Sequence, residues 1–310
     1  MKNETSFAAL VKGEMASHLY RKAHCRRAEL LGLLRMGANL TLSFGKGVGL
    51  EFMTESAAVA RKALMLLKGA SEVQTTVSVI RSFRLRKANR YDVRVVPSRA
   101  LRLLLHELGL SGAALLDATG DDAFLRRPCC RLAYLRGAFL AGGSVSRPAA
   151  GYHLELVTAQ TTFAELLLEL CRNLGFPANL TDRKEHFVIY LKESEAIIDF
   201  LAMLGAERAA SEVEVTRNVR EVKNQVNRLV NCETANLTKT ARASALQAGS
   251  IAYLKRSGRF ASLPPALQET ATLRLEHPEA SLAELAATLC LSKSAVNHRL
   301  RKLKALAKGG

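Results

Sequence analysis

The sequence predicts an α+β protein: an αββαββα unit built twice around a pseudo-two-fold axis, followed by an all-α region ending in a helix-turn-helix. Three observations predict it. Residues 130–146 (CRLAYLRGAFLAGGSVS) echo residues 25–41 (CRRAELLGLLRMGANLT), with Cys25/Cys130, Arg26/Arg131, Ala28/Ala133, Leu30/Leu135, Gly32/Gly137 and Gly37/Gly142 identical at an offset of 105. Residues 50–54 likewise answer residues 154–158 at offset 104, and residues 98–109 answer residues 194–205 at offset 96. Self-similarity at such a period marks a duplicated subdomain rather than a short solenoid repeat. In both copies the apolar spacing switches between helical and strand periods in the same order. Beyond residue 216 the apolar spacing is helical throughout, and the last fifty residues carry helix caps and stops.

In the first copy, Thr5 or Ser6 caps a helix expected to reach about Lys22, with Phe7, Leu10, Val11 and Leu19 on its apolar side. A second helix over 25–36 carries Leu30, Leu31, Leu33 and Leu34 and stops at Gly37. Residues 40–44 alternate as a strand, and 45–49 (GKGVG) turn into a second strand over 50–54. That glycine-lysine run lacks the G-x-x-x-x-G-K-[ST] spacing and leads into a strand, so it reads as a hairpin tip rather than a nucleotide cradle. A helix over 56–68, strands over 73–80 and 91–96 and a helix over 98–108 complete the unit. Arg81, Arg84, Arg86, Lys87, Arg90 and Arg94 crowd the second hairpin. They form either a solvated turn or a phosphate-facing ridge.

Residues 118–127 read as a linker, and the order then recurs. Helix 131–141, strand 144–146, a turn at 147–151, strand 152–158, helix 162–173, strands 178–182 and 186–191 and helix 194–204 follow. Lys46 and Arg147 lie at matching hairpin tips, where each can touch a phosphate.

In the last third, Val219, Val222, Val226, Leu229 and Val230 fall at helical spacing, with Asn224, Asn227 and Asn231 on a neighbouring face. Helix-packing hydrogen bonds are the preferred role for these asparagines, and base or phosphate contacts the alternative. Residues 256–264 read as a linker. Pro264-Pro265 opens a helix stopping at His277-Pro278, and Ser281-Leu282-Ala283-Glu284 is a capping box opening the next. Cys290 stands at the turn, where such motifs usually place glycine, and Ser292 starts a last helix to about Ala307. Leu285, Ala286, Leu289, Leu291, Val296 and Leu300 occupy helix-turn-helix packing positions. The last helix is then expected to present Ser292, Lys293, Ser294, Asn297, His298 and Arg301 to a DNA groove, with Arg299, Lys302 and Lys304 adding charge. The chain divides accordingly into 1–120, 121–212, a helical linker over 213–260, and 261–310.

Composition bounds the function. Residues 1–120 carry 19 Lys and Arg against 9 Asp and Glu, residues 121–216 carry 10 against 13, and residues 217–310 carry 16 against 6. Two basic ends around a mildly acidic middle suggest a polyanion partner, here double-stranded DNA. Aromatic residues are only 5% of the chain, which argues against single-strand RNA stacking. No uncharged apolar run reaches about 18 residues, so no membrane partner is expected. The start, MKNETSFAAL, lacks the apolar core of a secretory signal, and for a DNA-binding chain a cytoplasmic, nucleoid-associated location is the expectation. Six cysteines at 25, 129, 130, 171, 232 and 290 include no C-x-x-C pair. That spacing predicts reduced thiols, with no metal and no cofactor.

Residues 135–144 (LRGAFLAGGS) resemble the LAGLIDADG motif of homing endonucleases, and residues 31–39 resemble a more eroded copy. The resemblance implies that the two motif helices cross at Gly32 and Gly137 with their backbones nearly touching, offsetting the roughly 0.5–1 kcal/mol that a helix glycine costs. In that nuclease family an acid near the end of each motif helix holds the divalent metals, and the matching positions here are Gly37 and Gly142. No Asp or Glu occurs between Glu29 and Glu51, or between Asp122 and Glu155. Metal-assisted cleavage needs carboxylate oxygens near the phosphate, so no catalysis is expected. The rival reading is a metal-dependent endonuclease that uses Glu51 and Glu155, equivalent across the repeat, as a displaced pair.

Taken whole, the degenerate core, helical linker and terminal helix-turn-helix resemble the WhiA family of bacterial regulators over nearly the full length. Residues 227–236 (NRLVNCETAN) and 292–303 (SKSAVNHRLRKL) carry that resemblance. It implies a DNA-binding transcriptional regulator tied to sporulation or cell division. It also implies promoter DNA as target, a terminal domain similar to the promoter-reading region of sigma factors, and RNA polymerase or another regulator as protein partner.

Overall fold

Ser6 accepts a hydrogen bond from the amide of Ala9 and opens the first helix, α1 (Phe7–Ser17). The computed structural model describes residues 6–43, 47–81, 89–110 and 122–308. These fall into two compact units, divided between Val219 and Arg220. The helix α1 stops five residues before the expected Lys22. Beyond it the carbonyl of His18 accepts from the buried ammonium of Lys62, and the Tyr20 ring lies under the guanidinium of Arg136, so residues 18–22 serve side-chain contacts.

The first copy continues as α2 (Ala23–Gly37), β1 (Ala38–Ser43), β2 (Gly47–Thr54), α3 (Ala57–Ala70), β3 (Thr75–Arg81), β4 (Asn89–Val95) and α4 (Arg99–Glu107). After a one-turn helix, α5 (Asp122–Leu125), the second copy runs through α6 (Pro128–Gly142), β5 (Gly143–Val145), β6 (Leu154–Thr158), α7 (Thr161–Asn173), β7 (Asn179–Arg183), β8 (His186–Leu191) and α8 (Ser194–Met203). Each copy forms a four-stranded antiparallel sheet in the same order, β1-β2-β4-β3 and β5-β6-β8-β7. The repeat read from sequence is thus a repeat of topology. β1 pairs antiparallel with β2 from Ala38↔Phe52 to Ser43↔Gly47, so Gly47 begins a strand and not a helix; residues 44–46, read as part of a hairpin tip, lie outside the described residues. Leu42, expected to alternate inward, is 86% exposed near that hairpin end.

The helices α2 and α6 form the most extensive helix contact of this unit, and both sheets pack on them through Leu50, Phe52, Leu154 and Leu156. At the crossing, a Cβ on Gly32 would run into the carbonyl of Tyr134, and a Cβ on Gly137 into the carbonyl of Glu29. The backbones touch where the sequence places its paired glycines. Alongside lies a fully buried ion triad: Arg136 Nε donates to Glu29 Oε1 at 2.9 Å, and Lys62 Nζ stands 3.3 Å from the same oxygen. Burial lowers the pKa of Lys62, against which Glu29 acts. Burial also raises Tyr20 to about 12, although Arg136 acts in the opposite sense.

One long helix, α9 (Glu207–Arg256), runs from the first unit into the second, so the position read as a boundary at 212/213 lies inside it. Its start is fixed by Glu14, whose carboxylate accepts from the amides of Arg208 and Ala209 at 2.8 and 3.2 Å. The apolar row Val219, Val222, Val226, Leu229 and Val230 does not pack; each residue is at least 49% exposed. Asn224, Asn227 and Asn231 are exposed too, which removes the expected helix-packing role.

Candidate nucleic-acid interface

The second unit is built on α9's last turns and three short helices, α10 (Pro265–Glu276), α11 (Leu282–Thr288) and α12 (Lys293–Lys308). Its core comprises Ile251, Leu254, Leu267, Ala271, Leu285, Ala286, Val296, Leu300 and Leu303. The end of α9 is therefore a fourth packing helix, where the sequence suggested three. The capping box is complete: Ser281 Oγ accepts from the Glu284 amide and Glu284 Oε2 accepts from the Ser281 amide at 2.6 Å. That bond to the Ser281 backbone holds the Glu284 carboxyl below the usual range.

The helix-turn-helix hinges on Cys290. Its φ is +53°, its amide donates to the Ala287 carbonyl, and the Leu291 amide donates to the Ala286 carbonyl. This is a Schellman closure, and Gly109, Gly175 and Gly205 close α4, α7 and α8 in the same way. A cysteine here occupies a left-handed backbone that glycine adopts more cheaply.

A buried arginine, unforeseen from sequence, holds the preceding turn. Arg274 is 2% exposed and its Nη1 donates to the Ala280 carbonyl at 2.7 Å; burial lowers its pKa. Ser244 Oγ donates to the Pro278 carbonyl in the same turn. No periodicity distinguishes either residue, because both signals are single polar atoms meeting backbone.

With Val296, Leu300 and Leu303 turned inward, Ser294, Asn297, His298 and Arg301 follow at i, i+3, i+4 and i+7 and share one face of α12. Ser294, His298 and Arg301 are exposed and Asn297 is half-buried. Ser292 caps the helix by accepting from the Ala295 amide at 3.2 Å, Lys293 and Lys302 are exposed on the flanks, and Lys304 is half-buried. Arg299 departs from the expected group. Its Nη1 donates to the Ala266 carbonyl and Thr270 Oγ1, both at 3.2 Å, and lies 3.7 Å from Glu269, so its guanidinium ties α12 to α10. Glu284 is the last acid in the sequence, so every Asp, Glu, Lys or Arg beyond it is a Lys or an Arg.

In the first unit, Arg147 is exposed at the turn between β5 and β6. Lys46, Arg84, Arg86 and Lys87 lie outside the described residues. Arg94 is committed to its neighbours: Nε and Nη2 donate to Glu51 Oε1 at 3.0 and 2.7 Å, and Nε lies 2.8 Å from Asp92. Glu155 Oε2 is 3.2 Å from His153 Nε2. The ends of both motif helices are closely packed: a Cβ at Gly37 would come within 2.8 Å of the Phe52 ring, and one at Gly142 within 2.7 Å of the Met36 side chain.

A duplicated LAGLIDADG-type core with a glycine crossing, carried on the same chain as a helix-turn-helix, defines the class. Three family models cover the chain in order: the WhiA N-terminal LAGLIDADG-like domain over 23–111, the WhiA LAGLIDADG-like domain over 131–223 and the WhiA C-terminal HTH domain over 226–307. The chain belongs to the WhiA family. It is 44% identical to the "Probable cell division protein WhiA" of Heliobacterium modesticaldum, covering 97% of this chain and 96% of that one. To the protein of the same name from Desulforamulus reducens it is 43% identical, covering 97% and 95%. Its fold matches full-length DUF199/WhiA from Thermatoga maritima with a TM-score of 0.61 at 24% identity, over 98% of each chain.

Proposed function

We propose that this chain is a non-catalytic, sequence-specific DNA-binding regulator of transcription serving cell division and, by family resemblance, sporulation. One observation carries the reading: Ser294, Asn297, His298 and Arg301 share the outward face of the second helix of a helix-turn-helix, with no acid after Glu284. Asn pairs adenine and Arg pairs guanine through two hydrogen bonds each in the major groove. Ser292, Lys293, Lys302 and Lys304 flank that row and serve phosphates, as do Lys46, Arg84, Arg86, Lys87 and Arg147 on the core. Arg299, held by α10, is left out. The relatives' printed name supports the cell-division setting. A regulator at promoters acts on RNA polymerase directly or through another regulator. Filled space at Gly37 and Gly142, and Glu51 held by Arg94, support the non-catalytic part.

The test is selection of binding sites from random duplexes by the full chain, followed by affinity measurements on the selected site and on random DNA. Asn297→Ala and Arg301→Ala each lose about 1–3 kcal/mol on the selected site and relax one base pair. Lys302→Ala weakens both DNAs alike and lowers the salt slope by about one. Arg299→Ala lowers thermal stability without relaxing any base pair. Equal losses on both DNAs for Asn297→Ala and Arg301→Ala overturn the groove assignment. Magnesium-dependent cleavage abolished by Glu51→Gln or Glu155→Gln overturns the non-catalytic reading.

A further inference from the structure

We propose that His24, Cys25, Cys129 and Cys130 form a zinc site that staples the first turns of the two motif helices, α2 and α6. The two helices begin at Ala23 and Pro128, so each contributes its second and third residues to the cluster. The duplication pairs Cys25 with Cys130 and His24 with Cys129 at an offset of 105, and the glycine crossing brings the two dipeptides face to face. One ligand atom from each residue lies within 4.8 Å of all the others. His24 Nδ1 is 3.1 Å from Cys130 Sγ and 3.3 Å from Cys25 Sγ. A zinc tetrahedron with Zn–S near 2.3 Å and Zn–N near 2.0 Å has edges of about 3.5–3.8 Å, so the shell needs adjustments of about 1 Å or less.

The donor set selects the metal. Three thiolates and one imidazole suit a borderline-soft tetrahedral ion, and offer no oxygen to magnesium or calcium. On binding, three thiols release three protons to water, four coordinate bonds form and no electron moves. The assembly carries a net charge of −1, and its surroundings are positive. The cluster lies in the first turn of both helices, at their positive dipole ends, and a cavity of about 420 Å³ whose lining includes His24, Arg27, Arg126, Arg127 and Cys130 adjoins it. Cys25 and Cys130 are nearly fully buried, while His24 and Cys129 are half-buried, as a closed structural site with one approachable side requires. Sequence spacing could not show this, because the ligands come from two copies rather than one loop.

The full chain, purified under reducing conditions without chelator, should hold about one zinc per molecule by elemental analysis. Its cobalt-substituted form should show the thiolate charge-transfer and tetrahedral d–d absorption bands. Cys25→Ser/Cys130→Ser should fall below about one-tenth of an equivalent, while Cys171→Ser and Cys232→Ser, which lie outside the cluster, retain the metal. Should the buried double variant not fold, His24→Ala/Cys129→Ser at the half-buried positions and chelator-stripped wild type reloaded with zinc give the same readouts. A folded, reduced wild-type chain that takes up less than about one-tenth of an equivalent overturns the site. So does a Cys25 disulfide to Cys129 or Cys130 whose reduced form binds no zinc, or equal zinc loss in Cys171→Ser.

Discussion

Replacing Gly137 by alanine adds a single methyl group at the tightest point of the first unit. The new Cβ would collide with the Glu29 carbonyl oxygen and lie 2.8 Å from the Leu33 amide nitrogen. Both are backbone atoms of α2, so no side-chain rotation relieves the contact, and the two helices must separate by about 1 Å to regain van der Waals distance. Overpacking of a dense core costs about 1–3 kcal/mol. Separation also strains the adjoining bond from Arg136 to Glu29, and breaking a buried pair outright costs about 3–5 kcal/mol. A total near 3–5 kcal/mol is expected, a large part of the 5–15 kcal/mol that typically holds a domain together. Urea unfolding followed by tyrosine fluorescence suits the measurement, since the chain has no tryptophan and five of its six tyrosines, all but Tyr253, lie in the first unit. Gly13→Ala is the control: nothing stands within 4 Å of its Cβ, and this helix site should gain about 0.5–1 kcal/mol. A Gly137→Ala protein within about 0.5 kcal/mol of wild type would refute the backbone-contact account.

Three further outcomes follow from single contacts. Cys290→Gly should stabilise the second unit by about 1 kcal/mol in thermal melts, because it relieves a left-handed φ; a loss instead would mean that the thiol packs usefully. The lowered pKa of Glu284 means that its capping contribution is present above the ordinary carboxylate value of about 4.3 and is lost as pH falls through the folded value. The second unit's melting temperature should therefore drop in acid, and less so in Glu284→Gln, whose amide oxygen accepts without titrating; identical acid profiles would count against the box. Finally, Glu29→Gln should cost about 3–5 kcal/mol, whereas Glu29→Leu/Lys62→Met/Arg136→Met should cost far less, as read by urea unfolding. Equal losses would show that the ions stabilise in their own right.

Much of this architecture is legible in residue spacing, because it is repeated. The echo around Gly32 and Gly137 announced two like units, and the alternating runs placed all eight strands in the right order. The helix-turn-helix was legible for another reason: caps, stops and apolar spacing are local, and they agree from Pro265 to Lys308. What escaped were features made by single atoms meeting across the fold. The early end of α1 depends on Lys62 reaching the His18 carbonyl, and the Arg299 guanidinium depends on α10 standing beside α12. The valine row of α9 misled for the opposite reason, being periodic yet unburied. Cys25 and the Cys129-Cys130 pair stand 104 residues apart along the chain and come together only where α2 packs on α6.

The triad beside the crossing bears on why a duplicated body adopts one arrangement rather than several. Leucines recur along both helices, so a slip by one turn would bury a similar apolar area; besides the glycine contact, which such a slip would crowd, the ions oppose it. The duplication is broken at these positions: Glu29 answers Tyr134, and Arg136 answers Leu31, so the pair can form only one way round. Glu29 Oε2 and Arg136 Nη2 also lack hydrogen-bond partners among the described residues, an arrangement poorly suited to maximal stability. A slipped register would leave three buried charges apart, at several kcal/mol, whereas the native one satisfies Glu29 Oε1 twice. The acid retained in the first motif helix thus faces inward and selects the register, while Gly37 and Gly142 let Phe52 and Met36 fill the crossing's far end. Gly37 and Gly142 thus serve the packing of the crossing and leave the motif-helix ends without acids.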